Sequence, residues 1–179
     1  MVPRLLGRYK NFPEVIHGVA RFTFGSSTKK MQNTILRVLH ELNKQVLNLR
    51  SIATLSSSTC QVGFELGIAD GVEFNYLDEH ELNRLQGSVV KRAMSTVDLF
   101  CVVRYHVTRD GKLVPLRFDY YMLRFTFHSK NSLELRISHQ RGIQRLSVEN
   151  LITFITKRIN EELSKDRLRP LELKSLKAL

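Results

Sequence analysis

"VDLFCVVRYHVTRDGKLVPLRFDYYMLRFTF", residues 97–127, contains the strongest folding signal in the sequence. Apolar and aromatic residues fill two runs of strand length, and Asp110-Gly111 between them is typical of a two-residue hairpin turn. A turn at this dipeptide predicts a long antiparallel hairpin. Its register pairs Arg104 with Arg117, and such like charges repel each other unless an anion lies between them.

The predicted register gives the hairpin two different faces. The apolar face is predicted to be buried, and it contains Val97, Leu99, Cys101, Val103, Tyr105, Val107, Val114, Leu116, Phe118, Tyr120 and Met122. The mixed face is predicted to be exposed, and it contains Phe100, Val102, Arg104, His106, Thr108, Pro115, Arg117, Asp119 and Tyr121. Near Leu123 the alternation reverses, which indicates either a β-bulge or a sheet that is covered on different sides along its length.

Three helices are predicted in the rest of the chain. Apolar residues recur at helical spacing across 31–49, which predicts a first helix of about 20 residues. Ser27 or Thr28 is its predicted N-cap. Asp78 is the predicted N-cap of a second helix, which Gly87 is expected to weaken. The third helix is predicted to begin at residue 147, a serine.

Further strands are predicted on both sides of the long hairpin. Alternating apolar residues mark them at 15–24, 60–68, 72–76 and 132–139. The tripeptide Ala-Asp-Gly at 69–71 is predicted to form a hairpin loop between the second and third of these strands.

The resulting order β-α-β-β-α-β-β-β-α predicts a single-domain α+β protein. Because the strands come in hairpins, we expect a mostly antiparallel sheet of about six strands, with two long helices packed on one face. A sheet that curls around a terminal helix and forms a ligand cavity is the alternative. The predicted domain covers residues 15–165, between a basic N-terminal arm at 1–14 and a basic C-terminal tail at 166–179.

The chain is strongly basic. Its 179 residues have a formal net charge of +11 and a pI of about 10.0, which favours a polyanionic partner such as nucleic acid, an anionic membrane surface or an acidic protein. Basic residues are concentrated in 1–30 and 129–179, whereas 61–96 has an excess of acidic residues. If the two ends meet in the fold, they form one basic region. A charged surface without a dedicated ligand is the alternative interpretation.

The sequence offers no strong catalytic or metal-binding pattern. Cys60 and Cys101 lie in apolar runs, which is typical of buried free thiols. HELNK (40–44) and HELNR (80–84) lack the second histidine of a zinc-protease motif, and no phosphate-binding glycine loop occurs. We therefore predict no catalytic residue, metal site or cofactor, and we lean towards a protein that is not an enzyme. With no signal peptide and no membrane-length apolar run, we expect a cytoplasmic protein without a membrane partner.

The charge and the mixed hairpin face together predict a non-catalytic nucleic-acid-binding module, with RNA or single-stranded DNA favoured over a duplex. Aromatic side chains would stack on bases, and cations would hold phosphates. The candidate binding residues are Phe100, Arg104, His106, Arg109, Lys112, Arg117, Tyr121, Arg141 and Arg145. Two of them belong to HQRGIQR (139–145), which precedes a helix. Its backbone amides could hold a phosphate, but an ordinary charged connection is the favoured interpretation of this segment.

Three alternatives remain open from the sequence. In the first, Asp119 alone neutralises the arginines, and the mixed face is an ordinary surface cluster. In the second, the protein is an assembly subunit that docks an acidic protein or forms a homodimer, because the acidic block at 61–96 lies between basic ends. In the third, a small ligand binds in a cavity between the sheet and a long helix.

Overall fold

The computed structural model describes residues 6–53 and 60–179. Within these ranges eight strands form one antiparallel sheet. The strands are β1 (Gly18–Thr23), β2 (Val46–Asn48), β3 (Gln61–Asp70), β4 (Glu73–Tyr76), β5 (Thr96–Arg109), β6 (Lys112–His128), β7 (Ser132–Gly142) and β8 (Glu172–Ala178). The helices are α1 (Thr28–Leu42), α2 (Glu79–Lys91) and α3 (Val148–Lys165), with a short 3-10 helix at Leu49–Ser51. The predicted antiparallel α+β fold is confirmed.

The strand order is β2-β3-β5-β6-β7-β1-β8, and β4 pairs with the second half of β3. The long hairpin β5–β6 lies at the centre of this sheet. Helices α1 and α3 pack against each other and against one sheet face, where the apolar core is formed. We call the opposite side the open face. Its exposed side chains decide what the sheet presents to a partner.

The helices begin where the sequence predicts. Ser27, Asp78 and Ser147 each accept a hydrogen bond from the backbone amide three residues later, which satisfies one of the free donors of the first turn. Gly87 does not end α2 early, because the helix continues to Lys91.

The predicted length of the first helix is wrong. The apolar pattern extends across 31–49, but α1 ends at Leu42. The side chain of Asn43 explains the end of the helix, because its Oδ1 accepts from Leu66 N at 2.7 Å and its Nδ2 donates to Leu77 O at 2.8 Å. This residue therefore joins α1 to β3 and to the start of α2, and the chain turns away into β2.

Two strands lie where no strand was predicted. β2 uses the end of the predicted first helix, and β8 lies within 166–179, the predicted tail. β8 pairs with β1 along the edge of the sheet. The amide of Leu171 donates to Asn160 Oδ1 at 2.8 Å, which attaches the start of β8 to α3.

The prediction of a three-residue loop at 69–71 between β3 and β4 is also wrong. Asp70 pairs with Glu73, which leaves a two-residue turn that begins at Gly71. Gly71 has φ +77°, a conformation that glycine adopts without strain. The shift pairs Phe74 with Ala69, and the Phe74 ring therefore lies on the open face beside the ring of Phe100.

A β-bulge at Leu116 reverses the predicted faces of β6. The register set by the Asp-Gly turn holds only near the tip of the hairpin, as far as the pair His106 and Pro115. The next pair is Tyr105 and Arg117, so Leu116 has no partner on β5. Arg104 consequently faces Phe118, and its predicted pairing with Arg117 is wrong. The bulge was expected near Leu123. Because the bulge lies at Leu116, residues 117–122 of β6 point to the side of the sheet opposite to the predicted one.

Replacement of Asn43 by alanine should lower the free energy of unfolding by about 2 kcal/mol, because two buried backbone groups lose their partners. Urea denaturation followed by circular dichroism measures the change. Asn33→Ala, within α1, is the matched control, since Asn33 Oδ1 has no hydrogen-bond partner. An equal loss in both variants would contradict the role given to Asn43.

Candidate nucleic-acid interface

Asp119 lies fully buried beneath the end of the sheet, with 0% exposure. Its predicted position on the exposed face is wrong, because the bulge turns it towards the core. Four groups surround its carboxylate at hydrogen-bond distance, and they are Tyr105 Oη (2.5 Å), His139 Nε2 (2.9 Å), Gln144 N (2.6 Å) and Arg145 N (3.1 Å). A buried carboxylate needs such partners, since its desolvation is otherwise costly.

Two backbone amides of the 139–145 segment, which were considered as a possible phosphate site, already have an acceptor. Gln144 N and Arg145 N both donate to Asp119. Gly142 brings this loop close to β6, and with φ +114° a Cβ atom there would lie 2.5 Å from Asp119 Oδ1. The loop after β7 therefore binds an internal anion through these two amides, which agrees with the favoured interpretation of the segment as a connection and leaves neither amide free for a phosphate.

Two tyrosines complete the buried network. Tyr105 Oη accepts from Leu146 N at 2.9 Å, and Tyr121 Oη donates to the carbonyl of Leu146. Burial, followed by the hydrogen bond to Asp119, raises the pKa of Tyr105, and burial raises that of Tyr121. Both hydroxyls remain protonated donors. The predicted exposure of Tyr121 is wrong, since its side chain is fully buried.

A second buried carboxylate fixes the N-terminal segment on the open face. Asp98 receives two hydrogen bonds from Arg124, at 2.7 and 2.8 Å, and one from Tyr9 N at 2.7 Å. The Arg124 guanidinium also lies 4.1 Å from the centre of the Phe12 ring, a cation–π contact. This segment covers the open face near Asp98 and leaves the end near Phe118 uncovered.

Four rings form a continuous series across the open face, which we call the aromatic row. Tyr9 contacts Phe74 at 4.7 Å between ring centres, Phe74 contacts Phe100 at 5.3 Å, and Phe100 stacks on Tyr120 at 6.1 Å. Gly67 makes room for the row, because a Cβ atom there would lie 2.1 Å from the Phe100 ring.

The bulge brings an exposed ring and two arginines to the free end of this row. Phe118, which is 41% exposed, lies two residues before Tyr120 on the same side of β6. Arg104 faces Phe118, and Arg141 faces Tyr120 from β7. We call Phe118, Tyr120, Arg104 and Arg141 the platform. Its two aromatic residues were predicted to be buried, so the sequence reading missed them.

The remaining predicted site residues occupy three places. Phe100 and His106 are half-buried on the open face. Arg109 and Lys112 are exposed at the tip of the β5–β6 hairpin, which extends past the last described pairs with β3 and β7. Arg117 and Arg145 lie on the helix-covered side, where Arg117 faces Tyr105, and the guanidinium of Arg145 lies 5.9 Å from the same ring.

Five exposed cations at this end of the sheet are not neutralised by a neighbour. Arg104 forms a salt bridge with Glu65 at 2.8 Å, so the predicted neutralisation by Asp119 is wrong. By contrast, the five cations form no salt bridge with any residue in 6–53 and 60–179. The five are Arg109, Lys112, Arg117, Arg141 and Arg145. Such a concentration of unpaired charge attracts polyanions.

Other kinds of site were sought in the same part of the chain. The described residues contain no group of three or more His, Cys, Asp or Glu side chains arranged to hold a metal ion. None of the helices described is long and apolar enough to cross a membrane. An open apolar groove of about 730 Å³ lies between α3 and β8, away from the platform.

Comparison with known proteins gives no family for this chain. No protein-family model matches it, and neither does any curated protein or solved structure.

Replacement of Asp119 by asparagine should destabilise the protein by about 3 kcal/mol, because an amide offers one acceptor oxygen to four donors. The amides of Gln144 and Arg145 should then exchange hydrogen faster. Native-state exchange followed by mass spectrometry measures both effects. Asp110→Asn is the matched control at the exposed hairpin turn. Unchanged exchange at residues 142–146 in Asp119→Asn would contradict the network.

Proposed function

We propose that this protein binds single-stranded nucleic acid without catalysing a reaction on it. The observation that carries the proposal is the platform: an exposed Phe118 and a half-buried Tyr120 lie between Arg104 and Arg141. Arg109 and Lys112, which form no salt bridge among the described residues, extend the positive charge along the nearby hairpin tip. Aromatic rings that alternate with cations on a sheet face are the arrangement that single-strand binders use.

In this mode a base stacks on Phe118, and the neighbouring base stacks on Tyr120. Arg141 holds a phosphate between them, and Arg104 is available when it exchanges Glu65 for a phosphate. Arg109 and Lys112 continue the path of the backbone along the protruding hairpin. A single strand is favoured over a duplex because the faces of paired bases are covered by their neighbours.

The sequence preference of such a site should be weak. Every base offers a π-face, so stacking does not distinguish one base from another. The cations contact phosphates, which carry no sequence information. The platform offers no paired amide side chain for bidentate recognition of a base edge.

Phe118→Ala should weaken binding of a fluorescent single-stranded oligonucleotide about ten-fold, since one stacked base contributes about 1–3 kcal/mol. Fluorescence anisotropy at low ionic strength measures the dissociation constant. Tyr76→Ala is the matched control, because Tyr76 is an aromatic residue of similar exposure, 49%, and lies just before the acidic first turn of α2. Equal affinities of the two variants would overturn the stacking site.

Arg141→Ala should reduce the dependence of the binding constant on salt by about one released counterion. Lys112→Ala should do the same, whereas Lys91→Ala, at the far end of α2, should leave the dependence unchanged. Titrations across a series of salt concentrations measure this slope. An unchanged slope in both platform-side variants would show that these cations do not contact phosphates.

A protein partner with an acidic surface is the second candidate. The observation that favours it is the exposure of Leu113, Leu116 and Ile143 beside the same cations, since exposed apolar side chains contribute little to phosphate binding. Leu113→Ala should weaken a protein complex and leave oligonucleotide binding unchanged. Loss of oligonucleotide affinity in Leu113→Ala would show that this side chain contacts nucleic acid, and would count against a separate protein partner at the hairpin tip.

A further inference from the structure

Strand β8 has one free edge in the sheet that the structure describes. It pairs with β1 on one side and has no described strand on the other. An edge of this length offers unpaired backbone donors and acceptors to another strand.

A bulge in β8 gives this edge an unusual arrangement of leucines. Ala20 and Phe22, which are two residues apart on β1, face Leu176 and Leu173, which are three residues apart on β8. Side chains of paired residues point to the same side of a sheet, so both leucines point to the helix-covered side. Without the bulge they would point to opposite sides.

The backbone groups of the same two leucines point to the free edge. Leu179 N donates to His17 O, so the backbone groups of residues 179 and 177 turn towards β1 and those of Leu176 turn away. The backbone groups of Leu173 also turn away from β1. Leu173 pairs with Phe22 and Leu176 pairs with Ala20, and these two β1 residues are two apart, so their backbone groups point in the same direction.

The leucines lie at the mouth of the apolar groove between α3 and β8. Phe22 and Ile152 form its floor, and Leu173 and Leu176 form one wall. Leu173 is 51% exposed. The volume of about 730 Å³ lies outside the apolar core and is large enough for several aliphatic side chains.

We propose that a second copy of this chain covers this edge, with β8 pairing antiparallel to β8 of the other copy around a two-fold axis. The register that the charges favour sets Glu172 opposite Lys177 of the other copy. The same register sets Leu173 opposite Leu176, and Lys174 opposite Ser175. Each contact occurs twice because of the symmetry.

This register is self-complementary in both charge and apolarity. Opposite charges face each other across the strands, and the leucines of both copies meet over the two grooves. The backbone groups of Leu173 and Leu176 point outward in each copy, which is the arrangement that a hydrogen-bonded antiparallel pair requires. An acidic partner strand would match Lys174 and Lys177 but would repel Glu172.

The dimer would join the two sheets into one and keep both open faces on the same side. Each nucleic-acid strand could then meet two platforms, and binding at the second platform would be intramolecular. The dimer is nevertheless independent of nucleic-acid binding, since β8 and the platform use different residues.

Sedimentation equilibrium of the full chain, without nucleic acid, tests the proposal. The expected result is a reversible dimer with twice the 20.8 kDa mass of the chain. A species that stays monomeric up to the highest soluble concentration would overturn it.

Charge reversal tests the register. Glu172→Lys and Lys177→Glu should each weaken the dimer about ten-fold or more, because each creates two like-charge pairs. The double variant should restore the dimer, since it exchanges the charges and keeps them complementary. Lys91→Glu, on α2, is the control with the same change of net charge as Lys177→Glu. A dimer that ignores both single reversals, or that the double variant fails to restore, would overturn the β8 interface.

Discussion

The buried carboxylate of Asp119 is the constraint on which the functional end of this sheet depends. It joins β5, β6, β7 and the start of α3, because its donors come from Tyr105, His139 and the loop before α3. A buried anion is tolerated only when its partners are complete. The network therefore fixes the orientation of the chain on both sides of Asp119, and with it the position of the platform on the other face of β6.

The bulge at Leu116 makes this arrangement possible. One extra residue turns Asp119 and Tyr121 inward and turns Phe118 and Tyr120 outward. The acid that would have neutralised the surface arginines is thereby removed from the surface. Among the described residues, the cations at this end other than Arg104 have no carboxylate partner, and aromatic rings lie beside them instead. Structure and proposed function thus follow from the same shift of register.

The sequence predicts the class of this fold because its signals are local. The Asp110-Gly111 turn, the periodicity of the helices and the capping residues Ser27, Asp78 and Ser147 all act over a few neighbouring residues. The end of α1 was not predictable in this way, because Asn43 is held by strand and helix residues far along the chain. β8 was not predicted, because the basic residues of 166–179 are typical of a terminal tail.

The candidate site was only partly predictable for a related reason. Arg104, Arg141 and Phe100 were recognised from charge and aromatic character, and the structure brings them together. Phe118 and Tyr120 were assigned to the core, because alternation cannot reveal a bulge in a strand whose two faces both contain aromatic residues. The change of phase near Leu123 was a real signal, but it did not locate the extra residue.

The central claim is that single-stranded nucleic acid lies on the platform formed by this shift of register. Chemical-shift mapping of the backbone amides during titration with a short oligonucleotide tests it most directly. The account predicts the largest changes at residues 104, 118, 120 and 141, with smaller changes at the hairpin tip and none at α2. Changes confined to other surfaces, or no changes at all at low ionic strength, would contradict it.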